Sequence, residues 1–149
     1  MKLPGYLDYR FSPPAPSVSV QLESAKLRFG RTLRLLIDTG ASTTVVLDRD
    51  LRRLGVEWTR LSGPEGQLIG MGGTVHTRLI EDAKLIFKSA SGEFTTLTSA
   101  IHAARHDLSR LGPEMRKSVM LLPSLLGRDI IERYKFVYDS PRNKVYLEN

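Results

Sequence analysis

The residues best placed to do chemistry lie in one stretch, Leu35-Leu36-Ile37-Asp38-Thr39-Gly40-Ala41-Ser42-Thr43-Thr44-Val45-Val46. An apolar run stops at a carboxylate, a turn of small residues follows, and a second β-branched run begins. That order sets Asp38 at the end of a strand, with Thr39 beside it and Gly40 allowing another backbone to approach closely. An aspartate at a strand end serves either as a turn former, accepting its own downstream amides, or as an acid–base group. Acid–base work on water needs one group to take a proton and another to give one. Two carboxyls about 3 Å apart can do both, because they cannot ionise together and their pKa values split. Asp-Thr-Gly occurs once in 149 residues, so one chain carries half of such a pair. A twofold axis through Asp38 supplies the other half, since a C2 contact sets a residue against its own copy.

Other chemistries find less support. There are no cysteines, hence no thiol nucleophile, disulfide or thiolate metal site. His102 and His106 stand at i, i+4, but no third ligand recurs near them, and His76 is remote; no metal or other cofactor is expected. The glycines of residues 70–73 lack the lysine and helix of a phosphate loop. Ser42 and Ser124 lack the strand–turn–helix setting of a nucleophile elbow. The net charge is +6, but Lys26, Arg28, Arg31, Arg34, Arg52, Arg53, Arg105, Arg110, Arg116 and Lys117 are scattered. They read as a solvated basic surface rather than a nucleic-acid stripe.

The hydrophobic fraction is 41% and the charged fraction 26%, as in an ordinary globular domain. The length predicts one domain. No apolar run approaches the ~18 residues of a membrane span, and Met1 to Tyr6 lacks the apolar core of a secretory leader. The expectation is a cytoplasmic protein that does not enter a membrane.

The elements that must position Asp38 follow from patterning. Pro4, Pro13, Pro14 and Pro16 make residues 1–17 an extended N-terminal arm outside the core. Val18, Val20 and Leu22 alternate with polar residues, and the strand extends to Leu27 and Phe29. A turn at Phe29-Gly30-Arg31 leads into a strand over Thr32–Ile37 that ends at Asp38. A short strand follows over Thr43–Leu47. Asp48 is placed as an N-cap of a short helix closed by Gly55. Gln67 to His76 forms a hairpin with a glycine tip, and Leu79–Phe87 and Phe94–Ile101 form strands. Residues 102–120 read as a weakly helical, basic surface insertion broken at Gly112-Pro113. Ser124 to Arg133 begins extended and becomes a short helix, echoing in outline the strand–turn–strand–helix order around Asp38. Two strands flank the Ser140–Asn143 turn. The sum is a mostly-β, closed or partly open barrel with short helices.

Three segments, in order, resemble the retropepsins, the single-domain homodimeric aspartic proteases of the retroviral type. Leu36-Ile37-Asp38-Thr39-Gly40-Ala41 resembles their catalytic motif. Leu68-Ile69-Gly70-Met71-Gly72-Gly73, followed by Thr74 and Val75, resembles their flap. Leu125-Leu126-Gly127-Arg128-Asp129 resembles the hydrophobic pair plus Gly-Arg-Asp/Asn ahead of their C-terminal helix. The resemblance spans residues 18–149 and implies one retropepsin-like acid-protease lobe per chain. It implies that Asp38 is catalytic, that Thr39, Gly40, Ala41 and Arg128 support it, and that Ile69, Gly70, Met71, Gly72 and Gly73 form a lid over an extended peptide. Val45, Ile69, Met71 and Leu126 are expected at subsites. Where many viral members have an acid two positions after the motif glycine, this chain has Ser42, so Arg128 must find another partner: Asp129, Asp48 or a backbone carbonyl.

The function expected is endopeptidase activity from an Asp38 pair across a homodimer, on extended polypeptides, with no nucleic acid or membrane partner. Two alternatives stay open: a catalytically inactive peptide- or protein-binding module on the same fold, and a basic nucleic-acid-binding β-barrel. Lys144 to Leu147 is the candidate C-terminal strand of the dimer seam.

Overall fold

Alternating apolar and polar residues build a strand-rich molecule, seen here in a computed structural model that describes residues 1–70 and 73–149. In chain order the elements are β1 (Lys2–Pro4), β2 (Tyr6–Asp8), β3 (Ala15–Ser24), β4 (Phe29–Ile37), β5 (Val45–Val46), α1 (Asp48–Leu54), β6 (Ser62–Gly70), β7 (Gly73–Lys88), β8 (Phe94–His106), α2 (Pro113–Val119), β9 (Leu125–Leu126), α3 (Arg128–Ile131), β10 (Lys135–Asp139) and β11 (Lys144–Glu148). Short 3-10 turns sit at Trp58–Arg60, Leu108–Arg110 and Ser140–Arg142.

The main sheet runs β2-β3-β4-β9-β5-β8-β7-β6, and an extra β3–β7 pairing joins its flanks. That pairing closes β3, β4, β9, β5, β8 and β7 into a barrel, as the sequence led us to expect, with β2 and β6 as appended edges. A second sheet has the order β1-β11-β10.

Period-two patterning explains which face turns inward. Leu33, Leu35 and Ile37 of β4 and Val18, Val20 and Leu22 of β3 are all buried in one core with Leu85, Phe87, Leu126 and Ile130. Each such side chain stabilises the fold by about 1.5–3 kcal/mol when fully removed from water. β7 is long enough to pair with β8 along one edge and with β6 and then β3 along the other, and it bends on the way. Its register shifts between Ile80 and Ala83, a bulge that sharpens local twist. Asp82 at this bend accepts from Ser24 Oγ at 2.6 Å and from the Lys26 N–H at 3.0 Å, so the bend is tied to the β3–β4 turn.

Several elements differ from the sequence expectation. Residues 1–17 are not an arm outside the core: β1 pairs with β11 and β2 with β3, and Leu3 and Leu7 are 1% and 7% exposed. Two buried leucines outweigh the prolines, which sit where a strand can spare donors. The first hairpin turns at residues 25–28, where Arg28 adopts φ 57°; Gly30 lies within β4 opposite Glu23. β6 begins at Ser62, five residues before the hairpin expected from Gln67. The segment from His102 is not an insertion until Asp107. β8 continues to His106, with Ala103 and Ala104 fully buried, because their small side chains fit where β8 lies beside β5. Residues 112–118, covering most of α2, are exposed, while Val119 is buried. Leu47, not Asp48, is the N-cap of α1; the Asp48 carboxylate instead accepts from the His106 N–H at 3.0 Å and lies 2.5 Å from His106 Nδ1. Among the described residues no helix is long and apolar enough to cross a membrane.

Candidate active site

Asp38 follows the last residue of β4, where two chain segments cross. β9 lies between β4 and β5, parallel to the first and antiparallel to the second. The Asp38 N–H donates to the Leu126 carbonyl at 3.0 Å and the Leu36 N–H to the Ser124 carbonyl at 2.9 Å. The turn then folds back on the carboxylate. Gly40 N–H donates to Asp38 Oδ1 at 2.8 Å, and the Ala41 N–H donates to the Asp38 carbonyl at 3.2 Å. Oδ2 meets no donor among the described residues, and Asp38 is half-buried. One oxygen is thus fixed and the other is open to a water or a substrate. Thr39 and Gly40 are exposed beside it, and the Thr39 hydroxyl makes no hydrogen bond among the described residues.

The crossing is locked from behind by groups that the sequence motifs contained but did not assign. Gly127 presses on the turn: a Cβ there would lie 2.3 Å from the Thr43 carbonyl carbon, far inside any allowed contact, so only glycine fits. The Gly127 N–H donates to Thr44 Oγ1 at 3.0 Å. Thr44 Oγ1 donates to Asp129 Oδ1 at 2.7 Å, and the Thr44 N–H lies 2.9 and 3.0 Å from the two Asp129 oxygens. Thr44 is fully buried. The N–H groups of Arg128 and Asp129 donate to the Ala41 and Ser42 carbonyls at 2.9 and 3.2 Å. The first turn of α3 therefore clasps the loop that presents Asp38.

Arg128 takes the backbone solution. Its guanidinium donates to the Thr39 carbonyl at 3.0 Å and lies 3.7 Å from Glu132, with the side chain 45% exposed. Asp129 is committed to Thr44 and Asp48 to His106, so neither pairs with Arg128. A deeper support is Asp50 of α1, 0% exposed. It accepts from Ser124 Oγ at 2.7 Å, and Ser124 Oγ accepts from the Leu47 N–H at 3.0 Å. Sequence spacing gave no sign of this pairing, because 74 residues separate the partners.

The segment expected to form a lid is a hairpin of β6 and β7, paired in register from Gly66↔Thr77 to Gly70↔Gly73. Ile69 is 91% exposed and Leu68 45%. Gly73 adopts φ +102°, a conformation that other residues rarely take. Met71 and Gly72 lie outside the described residues. Leu126 is fully buried and Val45 7% exposed, so in one protomer both are core residues rather than subsite walls. No cluster of metal-ligating side chains exists among the described residues; His76 lies 3.6 Å from Glu65.

No protein-family model matches the sequence, and no curated protein matches it. Solved structures do. A retropepsin-like aspartic protease from Rickettsia conorii is similar at 17% identity and a TM-score of 0.57, over 99% of this chain and 98% of that one. The EIAV protease in complex with the inhibitor HBY-793 is 22% identical over 83% of this chain and 93% of that chain, with a TM-score of 0.47. The barrel that carries Asp38 on its crossed strands is a retropepsin-like aspartic-protease fold.

Proposed function

We propose that this chain is an aspartic endopeptidase, active as a homodimer in which two Asp38 carboxyls share the catalytic proton. The observation that carries the reading is the state of Asp38: one carboxylate oxygen is fixed by the Gly40 N–H, the other has no donor among the described residues, and the motif occurs once. In the mechanism, one Asp38 takes a proton from water as it attacks the scissile carbonyl. Its twin donates to the carbonyl oxygen, and the proton then passes to the leaving amine. The substrate lies extended beneath the β6–β7 hairpin, using main-chain hydrogen bonds for affinity. Ile69 and Leu68 supply apolar contact from above, and Thr39 and Gly40 reach the partner subunit and the substrate backbone.

The terminal sheet bears on assembly. β11, the seam strand the sequence suggested, lies between β1 and β10, so both its edges are paired within the chain. β1 lacks a donor at Pro4, and its Lys2 carbonyl already accepts from the Ala90 N–H at 2.8 Å. β10 is the open edge, and open edges invite pairing. The seam therefore runs along β10 or along the exposed face around Thr39.

Asp38→Asn tests the reading. Peptide hydrolysis should fall by at least about 10³-fold, with the circular dichroism spectrum and the sedimentation coefficient unchanged. Full activity in that variant refutes the mechanism, and a strict monomer at micromolar concentration in both proteins favours a non-catalytic binding module.

A further inference from the structure

A cleft whose lining does not include Asp38 gathers positive charge. Arg10, Ser19, Thr32, Arg34, Arg49 and Arg53 line a cleft of about 450 Å³, within the ~300–1,000 Å³ range of small-molecule sites. Every lining side chain is a cation or a hydroxyl. Three elements bring them together. On β3 and β4, Ser19 stands opposite Arg34 and Gln21 opposite Thr32, so Ser19, Arg34 and Thr32 share the outward face of the hairpin. α1 packs against β4 and contributes Arg49 and Arg53 one turn apart. The turn after β2 adds Arg10.

Like charges converge only when something holds them. Asp8, 6% exposed, accepts from Arg10 Nε at 2.9 Å. Asp50, 0% exposed, takes Arg49 Nε at 3.2 Å and lies 3.5 Å from Arg53. Arg34 makes no ion pair among the described residues. Four guanidiniums thus face two carboxylates, and the carboxylates sit behind them, in the protein. Each guanidinium has five N–H donors in a planar fork, so most donors remain unspent toward the cleft. Arginine forks match phosphate oxygens in bidentate fashion.

We propose that this cleft binds a small soluble anion bearing two or more phosphate groups, held by Arg34 and Arg53 from opposite walls with Arg10, Arg49 and the Ser19 and Thr32 hydroxyls completing the cradle. The volume exceeds what one phosphate fills, which favours a polyphosphate or a phosphorylated metabolite. The lining offers no apolar wall for an acyl chain, which disfavours a lipid. The site also touches the catalytic support: Asp50, which positions Arg49 and Arg53, accepts from Ser124, whose carbonyl binds the Leu36 N–H two residues before Asp38.

Calorimetric titration of the full chain with inorganic pyrophosphate, at constant ionic strength, tests the site independently of any protease activity. Saturable binding of one pyrophosphate per chain is expected, weakened at least tenfold by Arg34→Gln and by Arg53→Gln and unchanged by Arg116→Gln, which lies on the α2 surface. Arg34 is exposed and unpaired, so its variant should keep the wild-type circular dichroism spectrum; ³¹P line broadening of pyrophosphate provides a second readout. No saturable binding, equal binding in the Arg34→Gln protein, or an effect reproduced by chloride overturns the proposal. Co-sedimentation with phosphatidic-acid vesicles without pyrophosphate binding would also overturn it, in favour of a membrane-surface site.

Discussion

The crossing behind Asp38 and the hairpin tip above it are built on opposite terms. Behind Asp38, backbone bonds tie Leu36 and Asp38 to Ser124 and Leu126 and tie Ala41 and Ser42 to the first turn of α3, with Thr44 and Asp129 bonded to each other in a buried setting. At the hairpin tip, backbone pairing continues to Gly70↔Gly73, yet Ile69 is 91% exposed and Leu68 nearly half. The first region spends its side chains on holding geometry. The second holds apolar side chains in water, where they gain only when something arrives to cover them. The proposed catalysis needs both, a fixed carboxylate and a lid that can move.

If that contrast is right, substitutions in the two regions should fail in different ways. The largest effect belongs to Gly127→Ala. Its Cβ has no space against Thr43, so the variant should lose at least about 4 kcal/mol or not fold, as read by urea unfolding. Next comes Asp129→Ala, which leaves the buried Thr44 N–H and hydroxyl without acceptors. A loss of about 3 kcal/mol is expected, with activity falling alongside as the 39–44 turn loosens. A smaller effect, of a different kind, belongs to Ile69→Ser. Stability should change by less than about 0.5 kcal/mol, while KM for an apolar extended peptide rises about tenfold and kcat is nearly kept. The finest distinction is in hydrogen exchange: the amides of Leu36 and Asp38 should be protected to the level of global unfolding, and that of Ile69 should exchange far faster. A stable Gly127→Ala protein, or an Ile69→Ser protein that unfolds early, would erase the distinction between the regions.

Much of this site is legible in the residues because its logic is local. An apolar run ending at Asp38, a glycine-tipped hairpin and a Gly-Arg-Asp segment each declare themselves within a dozen residues. The missed features are those in which long separation or weak patterning hides the physics. Leu3 and Leu7 are two apolar residues in a proline-rich stretch; Leu3 pairs with Leu147 on β11, some 140 residues away, and Leu7 with Pro16 on β3. The β8 strand past Ile101 runs through His102, Ala103, Ala104, Arg105 and His106, where alternation fails and pairing with β7 along its whole length and with β5 at His102 and Ala103 keeps it extended. Asp50, Asp48 and Asp129 each look like ordinary helix-start acids; what distinguishes them are Ser124, His106 and Thr44, partners set by the tertiary fold. Ser42 could be seen to deprive Arg128 of one acid, but its replacement by the Thr39 carbonyl required the fold.

The central claim is that two copies of Asp38 make one site, and mixing subunits tests it most directly. Wild-type and Asp38→Asn chains would be allowed to exchange at constant total concentration while cleavage of an extended peptide is followed. If a site needs Asp38 from both protomers, an equal mixture retains about one quarter of the wild-type rate, because random C2 pairing gives that share of doubly intact dimers. Activity that falls in simple proportion, to about one half, would mean that each chain works alone and would contradict the account.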